Sequence, residues 1–587
     1  SYFKKGDKVL NMNYAAVDRG LQSVEEIRVP DSWKDLPDEP LEQTEAAGVP
    51  DYVRDVLIPV NAQAGDKIPV SKFLSFADGV TEVETSKYEK RGIAVDVPQW
   101  LPDNCIGCNQ CSLVCPHAAI RPFLFTKEEA EQAPAGCITH KANGRGMENY
   151  TFRIQVDPLD CQGCGSCADV CPAREKALVM KPLESQMPEQ DNWNHCLSLS
   201  EKANPLDKFT VRGSQFQRPL MEFSGACAGC GETPYMKLMT QLFGERMYIA
   251  NATGCAQAMF LSVPSIPMVK DSAGHGPALS NSLFENNAEY SLGMCLSVDQ
   301  QRNQVKTHAK AALDTTSDAA LKAALESWLQ DGDDGDKTRA VSDALIAALN
   351  QTADSSADVR FLRDNADQLV KKTMWMYGGD GWAYDIGYGG LDHVLASGID
   401  VNILVVDNEL YANTGGQASK ATPIGAVAQF AASGKKTPKK DLGMIAMNYG
   451  HVYVAQVSMG ANPAHVVKAL KEAEAHKGPS LVIAYAPCIN HGIAKSMKVS
   501  QAEQKLAVEC GYWPLFRYSP ELAAEGKNPF QLDSKAPNGK LREFMMGEVR
   551  FSGLTRTFPQ IAEQLFAEAE EQCAARYAQY EKLAAQK

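Results

Sequence analysis

The chain has 587 residues, of which 44% are hydrophobic, and it carries a formal net charge of −14. This length is enough for several domains with full-sized cores, and the acidic balance argues against nucleic acid as a main partner. No apolar stretch approaches the roughly 18 residues that a membrane span needs. Residues 1–5 show neither an initiator methionine nor the apolar core of a signal peptide. They are compatible with a chain that begins inside a longer polypeptide.

Residues 1–84 come before any motif that carries chemistry. The stretch from Val29 to Pro50 is rich in proline and acidic residues, which indicates a linker or a strap across the surface. We therefore predict a short mixed segment at 1–40, followed by a linker or strap at 41–84.

Two copies of one cysteine pattern, C-x2-C-x2-C-x3-C-P, begin at Cys105 and Cys161 in a predicted unit at 85–185. The pattern is typical of bacterial ferredoxins with two 4Fe–4S clusters, in which the fourth cysteine of each run binds the other cluster. A strand is predicted at 150–157, before the second run, and a polar linker at 186–215. The predicted ligands are Cys105, Cys108, Cys111 and Cys171 for one cluster and Cys161, Cys164, Cys167 and Cys115 for the other.

Two other kinds of site also use closely spaced cysteines. Zinc needs four ligands in each site and has no use for a crossed arrangement that ends in proline. A disulfide framework is not expected in a chain of this length, which is rich in ordinary core residues. Five further cysteines show no pairing pattern, and we expect free thiols at Cys137, Cys196, Cys295, Cys510 and Cys573.

Short apolar segments alternate with helical patterns between residues 216 and 490, which predicts a mostly parallel α/β sheet. Active groups of such sheets lie at the carboxyl ends of the strands. Residues 300–370 are rich in Ala, Asp and Lys and predict a helical insertion on the surface, and residues 491–587 predict a charged, mainly helical C-terminal segment. The predicted strands are 247–250, 374–377, 401–407 and 480–486.

Gly379-Asp380-Gly381 follows one predicted strand, and Asn408 follows the next. Together they have the form of the thiamine diphosphate signature, although a lone Gly-Asp-Gly also occurs in ordinary turns. A hard cation that bridges phosphates needs oxygen ligands. We therefore expect Mg²⁺ to be bound by the Asp380 carboxylate, the Asn408 amide oxygen and the Leu410 carbonyl. The glycines would let backbone amides approach the diphosphate.

A further metal site is indicated by a C-x2-C pair, Cys227 and Cys230, before the first predicted strand of the sheet. Cys255 and Cys488 each follow a strand of the same predicted sheet. A site of four thiolates beside the thiamine ring is therefore geometrically plausible. Spacing alone indicates a metal site for the C-x2-C pair and leaves Cys488 open.

The chain resembles the carboxyl-terminal half of the pyruvate:ferredoxin (flavodoxin) oxidoreductases, from about residue 5 to residue 515. The matching segments include CNQCSLVCPHAAIRP (108–122), SQFQRPLMEFSGACAGCGETPY (214–235) and NTGGQ (413–417). The resemblance implies that a third 4Fe–4S cluster, proximal to thiamine diphosphate, is held by Cys227, Cys230, Cys255 and Cys488.

The same resemblance implies where the thiamine diphosphate is contacted. Asn413 resembles the asparagine near the substrate carbonyl in this family, so Asn413 and Glu232 are candidate catalytic residues. Segment 1–40 resembles the end of the coenzyme A domain of the family, with Asn13 as a candidate contact. The expected cofactor contacts are Glu232, Cys255, Gly379, Asp380, Gly381, Trp382, Asn408, Glu409, Leu410, Tyr411, Ala412 and Asn413.

The implied activity is the oxidative decarboxylation of pyruvate with coenzyme A to acetyl-coenzyme A and CO₂, with electrons leaving through three clusters to ferredoxin or flavodoxin. The chain would carry the diphosphate, Mg²⁺ and electron-transfer half and be inactive without the amino-terminal half. We expect a cytoplasmic homo-oligomer in anaerobic metabolism, with no nucleic acid or membrane as a partner.

Two alternatives to pyruvate oxidation remain open from the sequence. Another 2-oxo acid could be the substrate, because residues 256–264 and His275 depart from the usual family pattern. Enzymes for other 2-oxo acids usually split these modules among separate subunits, so the fusion favours pyruvate. A pure electron-transfer subunit is the second alternative, and the predicted Asp380 and Asn408 metal site argues against it.

Overall fold

The computed structural model describes residues 6–35, 48–260, 264–283 and 285–586. The chain divides into two compact units, Ser1–Asp55 and Val56–Lys587. The first unit contains helix α1 (Asp7–Gln22). Asn13, the candidate coenzyme A contact, lies on α1 and donates from Nδ2 to the Val9 carbonyl at 2.8 Å. Residues 41–47 of the predicted strap at 41–84 lie outside the described residues.

The ferredoxin-like region is built on two small antiparallel sheets. Its strands are β1 (Asp96–Trp100), β2 (Ile120–Phe125), β3 (His140–Lys141), β4 (Thr151–Val156) and β5 (Leu178–Pro182). Strand β1 pairs with β5, and the second sheet has the order β2-β4-β3. The predicted strand at 150–157 is β4, which is confirmed. Alternate residues of β4, Phe152 and Ile154, pack into one core with the cysteine runs.

Short helices punctuate this region and the segments on either side of it. Helices α3 and α5 begin inside the two cysteine runs, so the runs fold as a loop followed by one helical turn. The helices are α2 (Ile58–Asn61), α3 (Gln110–Leu113), α4 (Lys127–Glu131), α5 (Ser166–Asp169), α6 (Leu183–Gln186), α7 (Glu189–Ser198) and α8 (Val211–Ser214).

The larger domain is built on an eight-stranded sheet. Its strands are β6 (Met247–Ala252), β7 (Ala278–Ser282), β8 (Thr373–Gly379), β9 (Asn402–Asp407), β10 (Tyr453–Val457), β11 (Ser480–Tyr485), β12 (Phe516–Tyr518) and β13 (Phe530–Leu532). The order is β13-β12-β10-β11-β9-β8-β6-β7. The six strands from β10 to β7 in this order run parallel, whereas β12 pairs antiparallel with both β10 and β13. The four predicted strands are confirmed as β6, β8, β9 and β11.

Helices cover both faces of this sheet, as expected for a parallel sheet that is buried on both sides. The helices of this part of the chain, including those of an insertion described below, are α9 (Thr233–Phe243), α10 (Cys255–Ala258), α11 (Asn287–Thr315), α12 (Ala319–Asp331), α13 (Thr338–Gln351), α14 (Ala357–Asp364), α15 (Tyr388–Ser397), α16 (Leu442–Met447), α17 (Pro463–Ala475), α18 (Ser500–Glu509), α19 (Pro520–Ala524), α20 (Leu541–Met546), α21 (Val549–Thr557) and α22 (Pro559–Ala584).

The helical insertion consists of α11 to α14, between β7 and β8. It has a core of its own, in which Val305, Leu325, Trp328 and Leu349 are buried together. Helix α11 begins at Asn287, and its first part packs against the strands of the main sheet. The separate core draws on residues from Val305 onward, so the boundary between the two cores lies inside one continuous helix. No pattern in the sequence marks that boundary.

The C-terminal segment, 491–587, is more than the helical appendage that the sequence suggested. Helices α18 to α22 dominate it, but β12 and β13 extend the main sheet at the β10 edge. Helix α22 closes over this edge, with the Tyr580 ring 5.0 Å from that of Phe516 and 5.6 Å from that of Phe530. Strands of three residues are too short to show a period, so they could not be recognised in the sequence. Among the described residues, no helix combines the length and apolar character that a membrane span requires.

Candidate functional site

Four parallel strands of the main sheet end at one edge and deliver the predicted site residues there. In the register of the sheet, Gly379 lies opposite Val406 and Asp407 lies opposite Tyr485. Each of these strands is followed at once by a loop that carries a candidate ligand. The ligands that follow β6, β8, β9 and β11 are Cys255, Asp380, Asn408 and Cys488.

A cleft with an empty volume of about 380 Å³ lies at this edge. Ten predicted contact residues line it, namely Glu232, Cys255, Gly379, Asp380, Gly381, Asn408, Leu410, Tyr411, Ala412 and Asn413. Four further lining residues were missed, namely Thr253, Gly254, Ala256 and Thr414. Their signal was only adjacency to predicted residues, although Gly254 has φ +130° and marks a sharp turn before Cys255.

Two predicted contact residues, Trp382 and Glu409, do not line the cleft. Trp382 is fully buried in the core of the sheet domain, and a Cβ atom on Gly378 would lie 2.6 Å from its ring. The Glu409 carboxylate forms ion pairs with Lys439 at 3.1 Å and Arg550 at 2.7 Å. Both side chains therefore lie behind the loops of the cleft, and their contact with the cofactor stays a prediction.

Asp380 has the properties of a cation ligand. It is fully buried, and its Oδ2 accepts a hydrogen bond from Ser419 at 2.6 Å. Its Oδ1 is buried and has no hydrogen-bond partner among the described residues. Burial, and then the charge of Asp407, raise the pKa of the Asp380 carboxyl well above its usual value. A buried carboxylate with a free oxygen is costly unless a cation compensates it, so the residues fit bound Mg²⁺.

Glu232 and Asn408 form a buried pair at the same cleft. Asn408 Nδ2 donates to Glu232 Oε1 at 2.5 Å, and Asn408 Oδ1 accepts from the Leu410 N–H at 3.3 Å. Burial raises the pKa of the Glu232 carboxyl to about 7, and the hydrogen bond from Asn408 opposes that rise. Glu232 therefore fixes the orientation of the Asn408 amide, which leaves its oxygen on the side of Leu410.

Gly379 supplies the open backbone that a diphosphate requires. A Cβ atom on Gly379 would meet only the Val406 carbonyl, at 3.8 Å, and the residue lines the cleft. Without a side chain at this position, a phosphate group can approach the main chain of the loop closely. The cleft thus combines an open backbone with a carboxylate that lacks a partner, which fits a diphosphate bridged by a cation.

The eight cysteines of the ferredoxin-like region line two separate cavities. One cavity is lined by Cys105, Cys108, Cys111 and Cys171, and the other by Cys115, Cys161, Cys164 and Cys167. These are the crossed sets that the spacing predicted. Tight turns make this possible, since Gly163 has φ +67° and its Cβ atom would lie 2.8 Å from the Asp96 carbonyl.

The four cysteines of the proposed proximal cluster also come together. The Gly231 N–H donates to the Pro487 carbonyl at 3.1 Å, which brings the C-x2-C turn against the loop of Cys488. Burial raises the pKa of the Cys255 thiol, and the charges of Glu232, Cys230, Cys488 and Cys227 raise it further. Because Cys255 also lines the cleft, the cleft and the four thiols share a wall.

The turn that carries Cys227 and Cys230 lies close to one of the two ferredoxin-type sites. Burial raises the pKa of the Cys164 thiol, and the Gly229 N–H, inside the C-x2-C turn, opposes that rise. His117 Nε2 lies 2.9 Å from the carbonyl of Ala226, and Ser166 donates to the Met497 carbonyl at 3.3 Å. The site of Cys164 is therefore the nearer of the two to the cleft.

Models of protein families match three parts of the chain. The thiamine pyrophosphate enzyme, C-terminal TPP binding domain, matches residues 363–484. The 4Fe-4S dicluster domain matches residues 104–174, and a domain of unknown function matches residues 39–94. These matches confirm the predicted α/β fold class with a thiamine domain and a ferredoxin-like domain. Mg²⁺ and the number of clusters stay predictions.

The chain is also similar to characterised oxidoreductases over its whole length. It is 56% identical to the pyruvate:ferredoxin oxidoreductase of Moorella thermoacetica, 52% to the pyruvate-flavodoxin oxidoreductase of Klebsiella pneumoniae and 44% to that of Nostoc sp.. Each match covers 100% of this chain and 50% of the relative. The chain therefore spans about half the length of the curated relatives it matches. It is homologous to one half of the pyruvate:ferredoxin and pyruvate-flavodoxin oxidoreductases, the family that its sequence motifs resemble.

Proposed function

We propose that this chain is the part of a pyruvate:ferredoxin or pyruvate-flavodoxin oxidoreductase that holds the diphosphate of thiamine diphosphate, Mg²⁺ and three 4Fe–4S clusters. The whole enzyme would convert pyruvate and coenzyme A into acetyl-coenzyme A and CO₂ and release two electrons. The observation that carries the proposal is the cleft in which Asp380, Asn408 and Cys255 meet. There a diphosphate site and a four-thiolate site share one wall.

The residues of the cleft have distinct proposed roles. Asp380, Asn408 and the Leu410 carbonyl would bind Mg²⁺, and the backbone at Gly379 would face the diphosphate. Glu232 would hold the Asn408 amide in place. This contact supports the proposal that Glu232 takes part in the reaction. When bound, thiamine diphosphate supplies the electron sink that decarboxylation needs.

Asn413 is the proposed contact to the substrate carbonyl. It lines the cleft and is exposed, so its amide can reach a ligand that enters from solvent. Trp382 and Glu409 take no part in this proposal as contact residues, since both lie behind the loops.

Electrons would leave the cleft through the three clusters in a fixed order. The proximal cluster comes first, and the contacts of His117 with Ala226 and of Ser166 with Met497 favour the cluster of Cys164 as the second. The cluster of Cys105 would then be the last. Ile106, beside Cys105, is 58% exposed, which supports docking of ferredoxin or flavodoxin on that side.

Other proposed properties concern the rest of the protein and its surroundings. We infer that an amino-terminal half, equal to the other half of the relatives, completes the pyruvate and coenzyme A sites, with Asn13 as a coenzyme A contact. The complete protein would be a homo-oligomer in the cytoplasm. None of the 17 cysteines forms a disulfide, which suits a reducing compartment.

The test is turnover by the purified chain with and without an amino-terminal half taken from a relative. With thiamine diphosphate, Mg²⁺, pyruvate and coenzyme A, the chain alone should not reduce ferredoxin, and addition of the half should start the reaction. Orientation of the ring by a second wall contributes several kcal/mol to such reactions, about 7–11 kcal/mol in favourable cases. The variant Asp380→Asn should stay inactive with the half, while Asp367→Asn, on an exposed residue, should be active. Pyruvate turnover by the chain alone would contradict the proposal.

A further inference from the structure

Lys237 is a buried lysine that connects the two halves of the cluster system. It lies in the middle of α9, a helix whose eleven residues are all buried. This helix begins just after Cys230 and Glu232, beside the cleft. The Lys237 side chain extends to α3 of the ferredoxin-like region, where its ammonium donates to the Ser112 carbonyl. Lys237 itself is only 2% exposed.

Ser112 occupies a special place between the two ferredoxin-type sites. It lies between Cys111 and Cys115, which line different cavities. The Lys237 ammonium therefore sits next to the single helical turn that both sites share. Its contact to Ser112 is made to the backbone, so it does not depend on the side chain at that position.

The Lys237 ammonium has no acidic partner among the described residues. The charged groups that act on it are Cys115, Arg121 and Cys111, and Arg121 is itself paired with Glu222. Burial lowers the pKa of Lys237 to about 8, while Cys115 and Cys111 raise it.

Other buried cations of this unit do have carboxylate partners. Lys439 lies 2.7 Å from Asp407, and Arg246 lies 2.7 Å from Glu474. Burying a charge without a partner is costly. Among the described residues no carboxylate offsets the buried charge of Lys237, and the groups that favour its charged form are the cluster ligands Cys115 and Cys111.

We propose that the Lys237 ammonium is the counter-charge of the two ferredoxin-type clusters and raises their reduction potentials. The inference rests on the proposed function, since it assumes that both clusters are present. A 4Fe–4S cluster with four thiolates has a charge of about −2 when oxidised and about −3 when reduced, and net charge is among the factors that set its potential. A nearby cation stabilises the reduced form more than the oxidised form. The larger effect should fall on the cluster of Cys115.

The test uses the full chain with its clusters reconstituted and measures cluster potentials by redox titration with electron paramagnetic resonance. Lys237→Gln keeps a donor for the Ser112 carbonyl but removes the charge, and Lys237→Met removes both. Lys237→Arg keeps the charge. Lys202→Met is the matched control, because the Lys202 ammonium has a carboxylate partner in Glu129 at 2.6 Å.

We expect both neutral variants to bind as much iron and sulfide as the parent and to have clusters with more negative potentials. At a fixed poise, the ratio of reduced to oxidised cluster should fall about tenfold or more, as expected for loss of a buried unit charge. Lys237→Arg and Lys202→Met should keep the potentials of the parent.

The outcomes separate this inference from the proposed function. If the parent chain holds no clusters, the proposed function fails. If the parent holds them and the Gln variant, with full iron content, has unchanged potentials, the role of Lys237 is refuted while the proposed function stands. If Lys237→Met loses its clusters, the reduction potentials of Lys237→Gln still test the role of Lys237.

Discussion

Replacing Asp380 by asparagine should stabilise the cofactor-free chain and abolish binding of the cofactor. The substitution keeps the shape of the side chain and still offers an oxygen to Ser419, which now donates at 2.6 Å. It removes a buried carboxylate whose Oδ1 has no partner among the described residues. It also removes the repulsion from Asp407 that raises the Asp380 pKa. The same change deletes the proposed charged ligand of Mg²⁺.

The magnitude follows from the cost of a buried polar group without a partner, about 1–3 kcal/mol. The asparagine amide Nδ2 retains part of that cost, so we expect the free energy of unfolding to rise by about 1–2 kcal/mol. With an unfolding entropy of about 2.1 cal/mol/K per residue, a domain of roughly 370 residues shifts its Tm by about 1.3 °C per kcal/mol. Thermal unfolding of the cofactor-free variant should therefore have a midpoint about 1–3 °C higher than that of the parent.

Addition of Mg²⁺ and thiamine diphosphate should reverse the order of the two proteins. At a ligand concentration of about 100 times Kd, the parent gains about 2.7 kcal/mol and the variant gains nothing. Asp367→Asn, on an exposed carboxylate, is the matched control and should follow the parent in both conditions. A lower midpoint for the empty variant, or an equal gain from the cofactor in variant and parent, would refute the reasoning.

Three further outcomes are expected. The anaerobically reconstituted chain should contain about twelve irons with matching acid-labile sulfide. Cys164→Ser should lower this iron content and Cys137→Ser should not. Stoichiometric zinc without sulfide would contradict the cluster assignment. Burial and a neighbouring carboxylate raise the pKa of Glu503 to about 7, so the folded state keeps a proton that the unfolded state loses, and stability should fall as pH rises from about 4.5 to about 7. Glu503→Gln should remove this pH dependence, and urea unfolding should show it to be more stable than the parent at pH 8 by about 1–3 kcal/mol. Parallel pH profiles of stability for the two proteins would show that Glu503 is not the cause. Gly229→Ala should reduce the iron content of the proximal site, because residue 229 has φ +75° and its Cβ atom would lie 2.7 Å from that of Met497; an unchanged iron content would show that the turn adapts.

The sequence indicated which residues meet at the cleft because most of them follow apolar strands. Strands β6, β8, β9 and β11 are buried over almost their whole length, so their runs of apolar residues were recognisable. Residues placed just after such runs necessarily meet at one edge of a parallel sheet. Strand β7 escaped prediction because it lies at the edge of the sheet and its sequence, ALSNS, is mostly polar.

Residues that act from far along the chain had no signal in the sequence. Arg550 and Lys439 look like surface charges in the sequence, yet both form ion pairs with Glu409 in the interior. Trp382 and Glu409 lie next to lining residues in the sequence, yet their side chains point into the interior. Neighbours in a loop turn to opposite sides, so adjacency to a ligand does not determine which side chain reaches the cleft.

The ion pair between Arg550 and Glu409 limits how the thiamine domain can be shortened. A polypeptide that ended near residue 490, where the predicted domain closes, would lack Arg550 and the strands β12 and β13. Glu409 would then remain in the interior with only Lys439 as a cationic partner, and the β10 edge would be open to pairing with other chains. Efforts to isolate a minimal thiamine-binding unit should therefore retain the sequence through Ala584, at the end of α22.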